Sequence, residues 1–178
     1  VYFDIVRPMN ADSAEEILVA ANAKMADCSF SARKLIVGSN VEALCTTDDP
    51  ADTLEFHKAI AEDDTFSVKV LPSFRPDMIC TGLLNGGFKY YLAKLGDVSG
   101  IDIKDFDSFL SAVESRLDFF VENGCKVSDI SLGSLAEKTA TYEEAKAAFE
   151  AVLAGDAVSA AQAEAYCDFM LRRMAKGY

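Results

Sequence analysis

The stretch Val41–Ile60, "VEALCTTDDPADTLEFHKAI", decides how this chain is read. Val41 to Thr47 is a short, mostly apolar run of strand length. Thr46, Thr47, Asp48, Asp49 and Pro50 close it, and Ala51 to Ala61 then carries Leu54, Ile60 and their neighbours at helical spacing. A strand that leaves through hydroxyls and carboxylates into a helix is one βα unit. Asp accepts bonds from the free amides of a helix start and Pro suits the first turn, so Asp48 or Asp49 is expected to cap this helix. Parallel α/β folds also gather reactive groups at the carboxyl ends of their strands. A cap at a strand exit faces that site as well, so the two roles coexist.

Upstream, Ile17, Leu18, Ala21 and Met25 recur at helical spacing between Ala11 and Ala26, and Ser13-Ala14-Glu15-Glu16 has the form of a capping box. A second helix is expected from Ser31 to Val37, closed by Gly38 and Asn40. Downstream, Phe66 to Leu71 alternates and is β-branched, a second strand ended by Pro72, with Phe74-Arg75-Pro76-Asp77 as its exit loop. A glycine-containing connection, Thr81 to Gly87, precedes a helix from Phe88 to Leu95. From Phe106 to Glu122, the residues Phe109, Leu110, Val113, Leu117, Phe120 and Val121 share one helical face, with Gly124 as the C-terminal cap. Cys125 to Ile130 is the third strand, and helices follow over Tyr142–Leu153 and Ser159–Lys176. Strands alternating with helices predict an α/β, helix-rich architecture with three parallel strand-helix units. The chain reads as a single segment, 1–178, with a helical region over 1–40, βα units over 41–130 and a second helical region over 131–178.

A chain of 178 residues that is 51% hydrophobic can bury one substantial core. Its formal net charge of −12 argues against a nucleic-acid backbone or an anionic membrane surface as partner, since both would repel it. Cys28, Cys45, Cys80, Cys125 and Cys167 form no Cys-x-x-Cys pair, so neither a disulfide framework nor a zinc knuckle is indicated, and a reduced, cytoplasmic setting is expected. The first residues lack the charged start and continuous apolar core of a signal peptide, and the apolar runs fall far below membrane-spanning length. The start Val1-Tyr2-Phe3, without Met, is expected of a piece of something longer. Open strand edges would invite self-association.

The three strand exits read Thr46-Thr47-Asp48-Asp49, Ser73-Phe74-Arg75-Pro76-Asp77 and Ser128-Asp129. Arg75 has the planar fork that grips a carboxylate; its plainer role is a surface charge or a salt bridge to Asp77. Asp129, after an apolar strand, suits a general base or the hydrogen-bond partner of one, and equally a turn cap. His57, the single histidine, lies inside the helix after Pro50 and is expected on the helix surface or in packing. Tyr90, Tyr91, Phe106, Phe119 and Phe120 stand at helical spacing and read as core, not as a cofactor box.

With these residues in hand, the sequence resembles the uronate isomerases, also called glucuronate isomerases, the aldose–ketose isomerases of the amidohydrolase superfamily. The matching words are "FSARKLI" from Phe30, "CTTDDPADTLEFHKAIAEDD" from Cys45, "VLPSFRPD" from Val70, "LGDVSGIDI" from Leu95 and "FFVENGCKVSD" from Phe119. The resemblance covers the chain from Ala11 to Tyr178. It implies part of a distorted (β/α)8 barrel: a helical insertion after the first strand, three strand units, and the helices leading toward the fifth strand. It also implies the interconversion of D-glucuronate with D-fructuronate and of D-galacturonate with D-tagaturonate, so the expected partner is a small-molecule uronate. Carried onto this sequence, Arg75 would hold the substrate carboxylate, Asp129 would stand at the end of its strand beside the substrate as a catalytic group, and Asp48 and Asp49 would line the substrate-binding mouth.

The sequence departs from the family in two places. A His-x-His pair on the first strand, a histidine on a later strand and an aspartate on the last build the family's metal site, and none has a counterpart here. The family's Ser-Asp-His word reads Ser128-Asp129-Ile130, and an aliphatic side chain cannot relay a proton or bind metal. No cofactor is therefore expected within this chain, zinc or another divalent ion is expected for the complete family enzyme, and this chain is expected to be catalytically incomplete alone. The competing reading is a non-catalytic α/β sugar-acid-binding or interaction module.

Overall fold

Most of the helices form where the sequence offers apolar residues at helical spacing behind a polar start. The computed structural model describes residues 2–27, 30–131 and 139–178. Val1, Cys28 and the part of the second helical region over 132–138 lie outside the described residues. In chain order the elements are α1 (Ala14–Met25), α2 (Ala32–Gly38), β1 (Ala43–Cys45), α3 (Glu55–Ala61), β2 (Lys69–Leu71), β3 (Ser73–Phe74) and α4 (Asp77–Thr81). A single 3-10 turn (Gly82–Leu84) leads to α5 (Phe88–Ser99), α6 (Phe106–Glu122), β4 (Val127–Ser128), α7 (Tyr142–Ala154) and α8 (Ala160–Gly177). No helix among the described residues is long and apolar enough to cross a membrane.

The chain divides into two compact units, Val1–Leu44 with Ile60–Val70, and Cys45–Ala59 with Leu71–Tyr178. In the first unit, Ile17 of α1 and Val68 are buried, Phe3 packs on Phe30 with ring centroids 4.9 Å apart, and the Arg33 guanidinium lies 4.6 Å over the Phe66 ring while pairing with Asp63 at 2.8 Å. The expected capping box at Ser13 does not form. The Ser13 hydroxyl instead donates to the Pro8 carbonyl and accepts from the Asn10 amide, each at 2.9 Å, so the turn before the helix has taken the group that would have capped it. Ser31 does cap α2, through the Lys34 amide.

The second unit holds the main core. α6 buries Phe106, Phe109, Leu110, Val113 and Phe120, against Phe88, Tyr91 and Leu92 of α5, Phe149 of α7 and Tyr166 and Met170 of α8. The aromatic rings meet in stacked and edge-on pairs, Phe109 on Phe149 at 4.8 Å and Phe74 on Phe120 at 5.1 Å, the geometries their quadrupoles favour. The Tyr166 hydroxyl, inside this core, donates to the Ile79 carbonyl at 2.7 Å. Val121, placed on the apolar face by its spacing, is exposed. Gly82 lies against Phe88 so closely that a Cβ there would overlap the ring.

The strands are shorter than their patterns suggest. Among the described residues β1 pairs with β2 and β3 pairs in parallel with β4, giving two two-stranded sheets in place of one three-stranded sheet. Pro72 separates β2 from β3, because it has no amide to donate to a ladder. The α/β character and the dominance of helix are as expected. The expected helix over Ala51–Ala61 starts only at Glu55, and Asp49 and Pro50 belong to a turn closed by the Asp52 amide on the Asp49 carbonyl at 2.8 Å. Neither Asp48 nor Asp49 caps α3.

Candidate functional site

The three strand exits meet in the second unit. Asp48 forms a parallel bridge with Phe74: its amide donates to the Ser73 carbonyl at 3.2 Å and its carbonyl accepts from the Arg75 amide at 3.0 Å. β3 in turn sets Phe74 beside Ser128. Three residues separated widely in sequence, Asp48, Arg75 and Asp129, are thereby aligned on neighbouring strand ends.

Arg75 and Asp129 are brought together. Arg75 Nε lies 2.5 Å from Asp77 Oδ2 and 3.6 Å from Asp129 Oδ2. The hydrogen bond that Arg75 donates to the Asp77 carboxylate favours the charged guanidinium and raises its already high pKa further. Asp77 Oδ1 accepts the Ser131 amide at 3.1 Å, which ties the loop after β4 to the start of α4. Among the described residues neither terminal nitrogen of Arg75 has a hydrogen-bond partner, and its side chain is 38% exposed. Asp129 is half exposed, and its Oδ1 lies 3.4 Å from the Ser73 hydroxyl, which donates to the nearer Thr46 carbonyl. Ile130, which follows it, packs against the core.

Asp48 is held differently. Its carboxylate is buried and accepts the Thr46 hydroxyl at 2.6 Å and the Ser73 amide at 3.1 Å, both on Oδ2. These bonds turn it toward the frame between strands, one residue behind the rim. Asp49 points elsewhere again: it accepts the Ala51 amide at 2.8 Å beside the buried Tyr91 hydroxyl. Burial pushes its carboxyl above the usual carboxylate range, against the opposing pull of the Ala51 amide. The Tyr91 hydroxyl has no hydrogen bond of good geometry among the described residues, and burial raises its pKa well above the phenolic range.

Of the two places expected for His57, the helix surface or packing, the structure shows the second. Its imidazole is 12% exposed, with Nε2 2.7 Å from Thr46 Oγ1 and 3.7 Å from Asp48 Oδ1. Leu54, buried and in the left-handed region at φ 56°, turns the chain so that α3 returns its first turn to the exit of β1. Helical spacing did not mark this, because Leu54 lies before α3 in a left-handed conformation that no apolar pattern announces. Arg116 was also missed. It is buried within the apolar stripe of α6, its guanidinium donates to the carbonyls of Pro50 at 2.8 Å, Asp52 at 2.8 Å and Val98 at 3.1 Å, and it lies 4.0 Å over the Phe119 ring. A cation between Val113 and Phe120 on an otherwise apolar face was the available clue.

The donors do not make a metal site. Among the described residues no three His, Cys, Asp or Glu side chains converge on one point, and the single histidine and Asp48 are already engaged with each other's neighbours. What the rim can do is hold an anion at Arg75 and exchange a proton at Asp129.

The family model described as glucuronate isomerase matches residues 1–178. The chain is 47% identical over 158 residues to a uronate isomerase of Lachnoclostridium phytofermentans, covering 89% of this chain and 34% of that protein. It is 38% identical over 177 residues to the uronate isomerase of Oceanobacillus iheyensis, covering 99% and 37% respectively. Among solved structures, a uronate isomerase of Thermotoga maritima superposes with a TM-score of 0.87 at 31% identity, over 98% of this chain and 38% of that one. A glucuronate isomerase of Caulobacter crescentus does so with a TM-score of 0.87 at 28% identity, over 98% and 36%. The chain thus spans little more than a third of the length of the relatives it matches.

Proposed function

The chain belongs to the glucuronate isomerase family, and on that premise we propose that it is the carboxylate-anchoring wall of a uronate isomerase, with Arg75 as the anchor. One observation carries this reading: at a strand exit Arg75 spends Nε on Asp77 and keeps both terminal nitrogens open beside the half-exposed Asp129. The open pair matches the two oxygens of a carboxylate, and the Asp77 bond orients the plane. A uronate held there by its acid group would lay its sugar carbons toward Asp129.

Aldose–ketose isomerisation moves a proton between C2 and C1 of the open-chain sugar. It needs a base, an electrophile on the carbonyl oxygen and an anchor for the rest of the molecule. This chain offers the anchor and, in Asp129, one carboxylate able to take a proton. Among the described residues no cluster of metal-ligating side chains is present, so the divalent ion expected for the complete family enzyme would be held by residues outside this chain and would supply the electrophile. Asp48, buried behind the rim, frames the site in this reading and does not touch the substrate. Asp49 has the same standing.

The test is the interconversion of D-glucuronate and D-fructuronate by the purified chain with zinc added, alongside direct titration with D-glucuronate. The expected outcome is no turnover, with weak binding that Arg75→Ala abolishes. Turnover that disappears in Arg75→Ala would show that the chain holds a complete site. Binding that survives the substitution would remove Arg75 as the anchor.

A further inference from the structure

The Thr46 hydroxyl has one proton and two neighbours that want it, Asp48 Oδ2 at 2.6 Å and His57 Nε2 at 2.7 Å. The carboxylate is the stronger acceptor and has no proton of its own to offer. The hydroxyl therefore donates to Asp48, and its oxygen accepts a hydrogen bond from His57 Nε2–H. That fixes the imidazole with its proton on Nε2.

The bonds continue beyond Thr46. Asp48 Oδ2 accepts the Ser73 amide, the Ser73 hydroxyl reaches the Thr46 carbonyl and lies 3.4 Å from Asp129 Oδ1, and Asp129 Oδ2 stands 3.6 Å from Arg75 Nε. Hydrogen bonds thus lead from a nearly buried imidazole through Thr46 and Asp48 to the Ser73 and Arg75 amides of the rim strand. Every link lies in the second compact unit.

We infer that His57 is a positioning residue: by donating from Nε2 to Thr46 it fixes Asp48, whose carboxylate holds the Ser73 amide and whose carbonyl holds the Arg75 amide, and so it sets the end of β3 that carries Arg75. It touches neither of the rim groups. Without the Nε2 proton the Thr46 hydroxyl is free to rotate toward the Leu71 carbonyl, 3.3 Å away, and Asp48 then loses the bond that holds Oδ2 under the Ser73 amide. The ligand-binding consequence rests on the carboxylate-anchor reading; the hydrogen-bond arrangement does not.

The chain has a single histidine, so its ring nitrogens and ring proton give one set of NMR signals. In the isotope-labelled wild-type chain the expected result is a slowly exchanging proton on Nε2, which becomes fast-exchanging in Thr46→Val. A proton on Nδ1, or an Nε2 proton that exchanges as in a free imidazole, overturns the inference. The second arm titrates D-glucuronate into His57→Leu and His57→Gln. Removing a charge-linked hydrogen bond at one remove is expected to weaken binding about tenfold in His57→Leu. His57→Gln, whose side-chain amide can donate from the same place, is expected to recover most of that loss. Equal binding by wild type and His57→Leu, with Arg75→Ala still abolishing it, overturns the positioning role and leaves the anchor standing. No binding by wild type overturns the anchor, and the Nε2 proton then decides the positioning claim alone. Should His57→Leu fail to fold, Thr46→Val and His57→Gln carry the same comparison.

Discussion

Arg116 is a buried cation whose hydrogen bonds go to carbonyl oxygens: Pro50, Asp52 and Val98 are its acceptors and the Phe119 ring covers its face. Its fork pins the turn that follows Asp48 and Asp49 onto α6, so the strand exit is fixed by a residue far away in sequence. Replacing it with Met keeps the apolar stem and leaves three inward-facing carbonyls without donors. Arg116→Met should therefore lower stability by about 3 kcal/mol, read from the midpoint of chemical denaturation. Arg116→Lys should restore only part of this, because one ammonium cannot reproduce the planar fork. An unchanged midpoint in Arg116→Met would show that the turn holds itself. Asp49 gives the opposite sign of charge effect. Burial raises its carboxyl in the folded state, so its contribution is full below the ordinary carboxylate range and is lost as pH rises through the raised value. Asp49→Asn keeps an acceptor for the Ala51 amide and removes the ionisation. The variant should gain on wild type as pH rises from acid to neutral, and parallel stability curves would refute the assignment. Both roles were hard to see beforehand. Sequence spacing shows that a charge falls on an apolar face, but the acceptors that satisfy it come from other segments.

Elements whose reasons are local were legible. α6 has the expected limits, Phe106–Glu122, because Asp105 and Ser108 form a reciprocal cap before a full apolar stripe, and Gly124 supplies the positive φ that ends it. α7 and α8 likewise begin at capping boxes, Thr141 with Glu144 and Ser159 with Gln162. Thr141→Ala removes the hydroxyl that accepts the Glu144 amide and should cost about 1 kcal/mol, measurable as a shift in thermal midpoint. No shift would mean that Glu144 alone satisfies the first turn. Ser13 has the same sequence form and a different outcome, since its hydroxyl is drawn into the Asn10 turn. A capping motif thus specifies a set of donors and acceptors, and nearby turns compete for them. α3 was misplaced for a related reason: the side chains of Asp49 and Asp52 bond the Ala51 and Leu54 amides and hold four residues in turns that composition alone would have made helix. The site divides along the same line. Arg75 and Asp129 could be named because strand exits are marked by pattern, whereas His57 needed the left-handed Leu54 to bring it back.

For the whole chain, alternating strands and helices identified the α/β class but not which strand pairs with which. Pro72 splits one expected strand into two that serve different neighbours, and that choice depends on contacts distant in sequence. Charge, by contrast, can be summed without knowing the fold. With 29 acidic against 17 basic side chains the chain carries a net −12, and several described cations already sit on carboxylates, as Arg75 does on Asp77 and Arg172 and Arg173 do on Asp168 and Glu114. The surplus acid groups repel one another over distances comparable to the screening length, while the close pairs are less exposed to screening. Added salt should then relieve more repulsion than it removes attraction. Raising ionic strength from a few millimolar to physiological should stabilise the chain on the order of 1 kcal/mol, or about 2–4 °C in melting temperature at this length. The comparison should use sodium chloride, because sulfate stabilises by exclusion from the surface whatever the charge. A melting temperature that falls with sodium chloride would mean that the ion pairs outweigh the net charge, and that the acidic surplus is spread too thinly to matter for folding.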